Sequence, residues 1–131
     1  MDRSTSPGFQ LWTHYLKSLE LRDNFQGEGC RSCSGIPAMT IGAGSQYGEI
    51  YNFSAEHDVV INGGEEPSVG LGGHMTGGGH SPLGSPYGLL VDNILEVQLV
   101  TPTGDLIVAN ECQYPDLFWA TKGGAARPSA C

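Results

Sequence analysis

The stretch Pro67-Ser68-Val69-Gly70-Leu71-Gly72-Gly73-His74-Met75-Thr76-Gly77-Gly78-Gly79-His80-Ser81-Pro82-Leu83 decides how this chain is read. Residues without a Cβ let a backbone approach a ligand closely. They allow a flat ring to lie on the main chain and successive N–H groups to turn towards one anion. A flexible linker shares the glycine content, but linkers rarely space Val69, Leu71, Met75 and Leu83 at such intervals. The run therefore points to a cradle for an anionic, ring-bearing cofactor. His74, inside the run, is read as a hydrogen-bond donor to that cofactor.

The rest of the composition supports this reading. The chain has 131 residues, room for one domain. It holds 20 glycines, against roughly 9 expected at average usage, and they are densest from Gly63 to Gly88. No Gly-X-Y period is present, which excludes collagen. Acidic residues outnumber basic ones 14 to 6, for a net charge of -8. That charge repels nucleic acid and anionic membranes, so neither is an expected partner. It also leaves a phosphate-bearing cofactor to be held mainly by backbone amides. No stretch approaches the ~20 apolar residues of a membrane span, and residues 1–8 lack the apolar core of a signal peptide.

Around the glycine run the chain reads as mixed helix and strand. Phe9 to His14 is expected to be a strand. Leu16 to Leu21 is a second apolar segment, ended by a polar turn at Arg22-Asp23-Asn24. Residues 26–36 form a loop, and Ala38 to Ile41 a short strand ended by Gly42-Ala43-Gly44. Tyr47 to His57 is a helix with Tyr47, Ile50, Tyr51 and Ser54 on one face. Val59-Val60-Ile61 is a buried strand. Residues 62–88 are a long irregular segment with one helical turn near Ser81 to Ser85; such segments are uncommon unless functional. Ile94 to Thr101 and Leu106 to Ala109 form a hairpin about Pro102-Thr103-Gly104-Asp105. Pro115 to Lys122 is a short helix stopped by Gly123-Gly124. Without strict βαβ alternation, the fold class is α+β.

Other motifs compete less well. Gly42-Ala43-Gly44-Ser45-Gln46-Tyr47-Gly48 follows a strand and opens a helix, but its third glycine is one residue late for a dinucleotide fingerprint. It is read as a tight strand-to-helix turn. No Gly-Lys-Ser/Thr follows a glycine run, which excludes a P-loop. Cys30-x-x-Cys33 with His74 and His80 lacks the spacing of a zinc site, so no metal is expected. The four cysteines are read as surface or structural and leave the redox compartment open. Asp116-Leu117-Phe118-Trp119-Ala120 packs a helix by its aromatic face, with Gly123-Gly124 near the ligand. The sequon Asn52-Phe53-Ser54 lies on the predicted helix.

Taken in order, Val69-Gly-Leu-Gly-Gly-His74, Gly77-Gly-Gly-His80-Ser-Pro-Leu, Tyr87-Gly-Leu, Asp92-Asn-Ile-Leu-Glu96, Val100-Thr-Pro-Thr-Gly104 and Asp116-Leu-Phe-Trp-Ala120 resemble the PCMH-type FAD-binding domain of the vanillyl-alcohol oxidase family. The look is that of fungal FAD-linked oxidases similar to berberine bridge enzyme. Leu11 to Lys17, Glu28-Gly-Cys30, Ile41 to Gly44 and Tyr47 to Tyr51 match as well, so the resemblance covers about residues 3–124. It implies the second lobe of a two-lobed α+β domain, a mixed or antiparallel sheet flanked by helices, with the first lobe and the substrate domain missing. Residues 1–8 are then a lead-in, 9–124 a partial FAD-binding domain, and 125–131 a divergent tail.

The resemblance also implies FAD as cofactor and hydride transfer from a small organic substrate to flavin, with O2 reoxidising it. Pro67, Ser68, Val69, Gly70, Gly72 and Gly73 would run along flavin and pyrophosphate. His74 would hydrogen-bond near the ribityl chain or the N1/C2=O edge. Gly77, Gly78, Gly79, His80, Tyr87 and Gly88 would line the same cleft. Departures accompany the match. Arg3 stands just beyond the place of the family's flavin-linking histidine. Glu66 occupies the place of a second, cysteine link. Ala125 to Cys131 diverges from the family's glycines. No catalytic residue is nominated, and the chain alone is expected to be inactive and poorly stable. The alternatives are a non-catalytic fold remnant acting as a binding module and, last, a small metal or redox protein. Full-length relatives are often secreted; this chain's own location stays open.

Overall fold

Two antiparallel strand pairs with an α-helical segment between them carry the fold of the computed structural model, which describes residues 8–30 and 35–123. The first pair is β1 (Leu19–Phe25) with β2 (Ile36–Ile41), in register from Leu19 opposite Ile41 to Arg22 opposite Ala38. The second is β3 (Glu96–Val100) with β4 (Leu106–Asn110). Between them come α1 (Tyr47–Glu56), α2 (Leu71–Thr76), α3 (Gly84–Tyr87) and a 3-10 turn at Leu90–Asn93. Helix α4 (Pro115–Thr121) follows, with proline in its first turn. The α+β class and the hairpin agree with expectation. The antiparallel strands form two separate pairs among the described residues.

The turn from β2 into α1 sets the core. A Cβ on Gly42 would lie 2.2 Å from the Leu16 carbonyl oxygen, and one on Gly44 2.1 Å from that of Thr13. Both glycines therefore serve close backbone packing, as the tight-turn reading required. Helix α1 then starts on Gln46, whose N–H donates to the Glu49 carboxylate at 3.0 Å. That bond, followed by the Lys17 ammonium, holds the Glu49 carboxyl below its usual range. Tyr47 and Ile50 are fully buried and cluster with Leu71 and Leu90. Leu19, Met39, Ile41, Tyr51, Ile61, Met75 and Ile94 pack around them.

Four expectations are corrected. Phe9 to His14 is not a strand: Thr13–Tyr15 forms a 3-10 turn, and Leu11 and Trp12 are exposed, with no strand paired to them among the described residues. Arg22-Asp23-Asn24 is not a turn. Strand β1 continues through it, absorbing the polar residues in a register shift between Arg22 and Phe25. Val59-Val60-Ile61 is neither a strand nor fully buried. Val60 is 84% exposed, because no ladder partner lies beside it among the described residues. Finally, the segment 62–88 is less irregular than expected. Leu71 and Met75, four residues apart, give α2 an apolar side that meets the core.

A covalent and polar knot joins the two strand pairs. Cys30, after β1, is disulfide-bonded to Cys112, after β4. Beside it the Asn110 side chain is 1% exposed and uses every hydrogen-bonding site. Its Nδ2 donates to the Glu28 carbonyl and the Glu96 carboxylate. Its Oδ1 accepts from the N–H groups of Cys112 and Gln113. The Glu28 N–H closes the ring by donating to Glu96 at 2.8 Å. The structural reading of the cysteines therefore holds for Cys30 and Cys112, while Cys33 and Cys131 lie outside the described residues. In α4 Phe118 is buried, whereas Trp119 is 77% exposed, so only part of the aromatic face packs. Asn52 is exposed on α1 and the sequon does lie on a helix, with Ser54 buried.

Candidate functional site

The start of α1 and the chain from Asn62 to Gly79 meet at one place. Residues 67–69 cross the N-terminus of α1: Gly48 N–H donates to the Pro67 carbonyl, Tyr47 N–H to that of Val69, and the Gln46 side chain to that of Ser68. An isolated antiparallel bridge pairs Gln46 with Gly70. Helix α2 then packs on the β2–α1 turn, where a Cβ on Gly72 would lie 2.9 Å from the Ala43 carbonyl oxygen. Pro67, Ser68, Val69, Gly70, Gly72, Gly73 and His74 are thus brought together.

Gly63 and Gly64 lie on a flat ring, but that ring is Tyr47's own. A Cβ on Gly63 would sit 2.3 Å from Tyr47 Cε1, and one on Gly64 3.0 Å from Cε2. The Tyr51 hydroxyl donates to the Gly64 carbonyl at 2.5 Å. Tyr47 Oη lies 2.6 Å from His74 Nδ1, with the rings edge to face. Burial pushes the Tyr47 phenol up to about 12, and a bond from Gly64's backbone offsets part of that rise. The partnership between Tyr47 and His74 was missed from sequence, because 27 residues and no recognisable motif separate the two side chains.

The glycines divide into two kinds. Gly72, Gly79 and Gly88 are needed for packing: a Cβ would meet Ala43, Leu90 or Asp92 at 2.9, 2.4 and 2.5 Å. The last two also have φ of +71° and +74°. Gly70 and Gly73 are different, since an added Cβ would meet nothing within 4 Å. Both keep an open face beside His74 that any side chain would fill.

Part of the expected nest of amides is turned towards the protein's own carbonyls. The N–H groups of Leu71, Gly72, His74, Gly77 and Gly78 already donate to carbonyls of Ser45, Ala43, Gly70, His74 and Met75. Both donors of Ser68 go to the Glu66 carboxylate. The backbone spends its amides on holding its own shape, and what it offers outward is surface without Cβ. The described cations do not add charge here. Lys17 pairs with Glu49, Arg22 with Glu20, and Lys122 lies over Phe118.

The remaining predicted residues are scattered around this centre. Gly78 and Gly79 are tied to the 3-10 turn, their carbonyls accepting from Val91 and Leu90 N–H. Gly88 is fixed by Asn62, whose Nδ2 donates to its carbonyl. His80 and Tyr87 are exposed, and the structure does not bring their side chains to His74. An apolar groove of about 310 Å³ is lined by Tyr51, Ser54, Val60, Ile61 and Leu83 among others; none of the predicted cofactor residues lines it. Gly124 lies outside the described residues. No group of three or more His, Cys, Asp or Glu suited to a metal occurs among the described residues. No helix of the described residues is long and apolar enough to cross a membrane.

Comparison with known proteins adds independent findings. A family model described as an FAD binding domain matches residues 37–110, more than half of the chain. The chain is 46% identical over 125 residues to aurantioclavine synthase from Penicillium expansum, covering 93% of this chain and 27% of that protein. It is 42% identical over 118 residues to an FAD-linked oxidoreductase from Penicillium thymicola, covering 88% and 20%. Among solved structures it is similar to a VAO-type flavoprotein from Myceliophthora thermophila, with a TM-score of 0.77 and 40% identity, over 86% of this chain and 20% of that one. The chain spans about a fifth to a quarter of the length of the curated relatives it matches.

Proposed function

The chain belongs to the FAD binding domain family, and on that premise we propose that it forms the FAD-cradling segment of an FAD-linked oxidoreductase. FAD, when bound, would supply the redox chemistry, hydride acceptance from a small organic substrate with O2 as the final acceptor. The chain's own residues bind and orient. Pro67 to Gly73 run beside the cofactor, His74 donates a hydrogen bond to its ribityl chain or N1/C2=O edge, and Gly77–Gly79, His80, Tyr87 and Gly88 border the cleft. A donor at that edge favours the reduced flavin, because negative charge grows there on reduction.

The observation that carries this reading is the pair of open glycine faces at Gly70 and Gly73, just before His74 in the chain. A surface stripped of Cβ atoms where no protein atom uses the space fits an extended, flat-ringed ligand. Hydrogen–deuterium exchange with and without FAD tests it. Protection over residues 67–79 is the expected result. Protection confined to the groove lined by Tyr51 and Leu83 would place the ligand elsewhere and refute the assignment.

A further inference from the structure

We infer that Tyr47 is a positioning residue for His74, locking its imidazole into the tautomer that bears its proton on Nε2 and so leaves that nitrogen a donor. This deepens the FAD reading and rests on it for the donor's purpose, but the proton's place follows from the chain alone.

The hydrogen bonds around one buried oxygen fix where the proton lies. Tyr47 is fully buried, so its hydroxyl proton needs an acceptor inside the protein. The acceptor within reach is His74 Nδ1 at 2.6 Å. The neighbouring Gly64 carbonyl already accepts the Tyr51 hydroxyl. The Tyr47 proton therefore points at Nδ1. A phenol held near 12 keeps that proton throughout the physiological range.

An imidazole whose Nδ1 accepts a proton carries its own on Nε2 while neutral. The edge-to-face contact at 5.3 Å between ring centroids fixes the plane of His74 as well as its proton. The glycines opposite complete the device: a Cβ on Gly64 would stand 3.2 Å from His74 Cε1 and 3.0 Å from Tyr47 Cε2. A donor whose tautomer and plane are set before the ligand arrives loses little orientational freedom on binding. It also offers nothing basic at Nε2 that could take up a proton from the ligand.

The test uses the full chain with 15N-labelled histidine and long-range 1H–15N correlation, which distinguishes a protonated ring nitrogen from a bare one. His74→Gln assigns the signal among the four histidines. The expected result is a bare Nδ1, a protonated Nε2 and a slowly exchanging Tyr47 hydroxyl proton correlated with His74 Nδ1. Tyr47→Phe should abolish that hydroxyl signal and move His74 to a mixture of tautomers. Tyr51→Phe should leave His74 unchanged, a difference that a merely structural role for Tyr47 would not produce. If Tyr47→Phe fails to fold, the wild-type hydroxyl correlation decides alone. A proton on Nδ1 in the wild-type chain, or an unchanged His74 in folded Tyr47→Phe, overturns the inference. These spectra are recorded without FAD, so a failed FAD titration would refute the cofactor reading and leave the tautomer result standing.

Discussion

Substituting Gly73 by leucine separates holding a ligand from holding the fold. Gly73 lies in α2 and is absent from the residues with positive φ, so a side chain meets no backbone strain there. Its Cβ would enter open space. Glycine in a helix interior costs about 1 kcal/mol against a good helix former, so Gly73→Leu should stabilise the free chain by about 0.5–1 kcal/mol. For a domain of this size that raises Tm by about 4 °C. The same side chain projects from the surface assigned to FAD. Forcing a ligand past added methylenes costs about 1–3 kcal/mol, which weakens binding roughly 5- to 150-fold. A thermal melt followed by circular dichroism and an FAD titration followed by flavin fluorescence read the two effects separately. A lower Tm would mean that Gly73 is needed for packing. An unchanged FAD affinity would mean that its open face is not the cradle. Either result refutes the reasoning.

Further outcomes follow from other parts of the structure. Gly63→Ala should have the opposite sign on stability, because its Cβ would lie 2.3 Å from the Tyr47 ring; a denaturant melt should show a loss of about 1–3 kcal/mol. Replacing Cys30 and Cys112 by serine frees a loop closed over a sequence separation of 82. In the chain-entropy account this costs about 4 kcal/mol, measurable against the wild-type chain under non-reducing conditions. Asn110→Ala takes one of two donors from Glu96, the side-chain donor from the Glu28 carbonyl, and the acceptor of two backbone amides, and should cost about 3 kcal/mol in the same melt. Because the Tyr47 phenol is raised from 10.0 to about 12, the folded state holds that proton more tightly than the unfolded one. Tyr47's contribution is then complete below pH 10 and is lost as pH rises towards 12; stability curves of wild-type and Tyr47→Phe chains should differ in slope only in that window.

Legibility in the sequence followed the range of the interactions involved. Helix α1 was visible because Tyr47, Ile50 and Ser54 repeat at helical spacing, and all three are buried. The β3–β4 hairpin was visible because Gly104 at its turn, with φ of 90°, is a local signal. Val59-Val60-Ile61 misled because β-branched residues favour strands only where a partner ladder exists. Helix α2 was obscured by its own glycines, which lower helix propensity, although Leu71 and Met75 carried the period.

The site was partly legible. The motif located the residues around His74, but not what their backbone does. An excess of glycine predicts close approach without saying what approaches. At Gly63 and Gly64 it is Tyr47, at Gly72 it is the Ala43 turn, while at Gly70 and Gly73, as at Gly84, the space is left open. Of the amides first read as anion donors, those of Leu71 and Gly72 go to Ser45 and Ala43, far along the chain, which no local pattern encodes, and those of His74, Gly77 and Gly78 close local turns. The Cys30–Cys112 bond lay beyond reach for the same reason, since four cysteines permit several pairings.

The most direct measurement grafts residues 9–123 in place of the matching segment of the VAO-type flavoprotein from Myceliophthora thermophila and records the visible spectrum of the purified chimera. The account predicts a folded protein with bound yellow flavin, and a folded but colourless one when Gly73→Leu is added. A folded chimera without flavin, or a Gly73→Leu version that stays yellow, would contradict it.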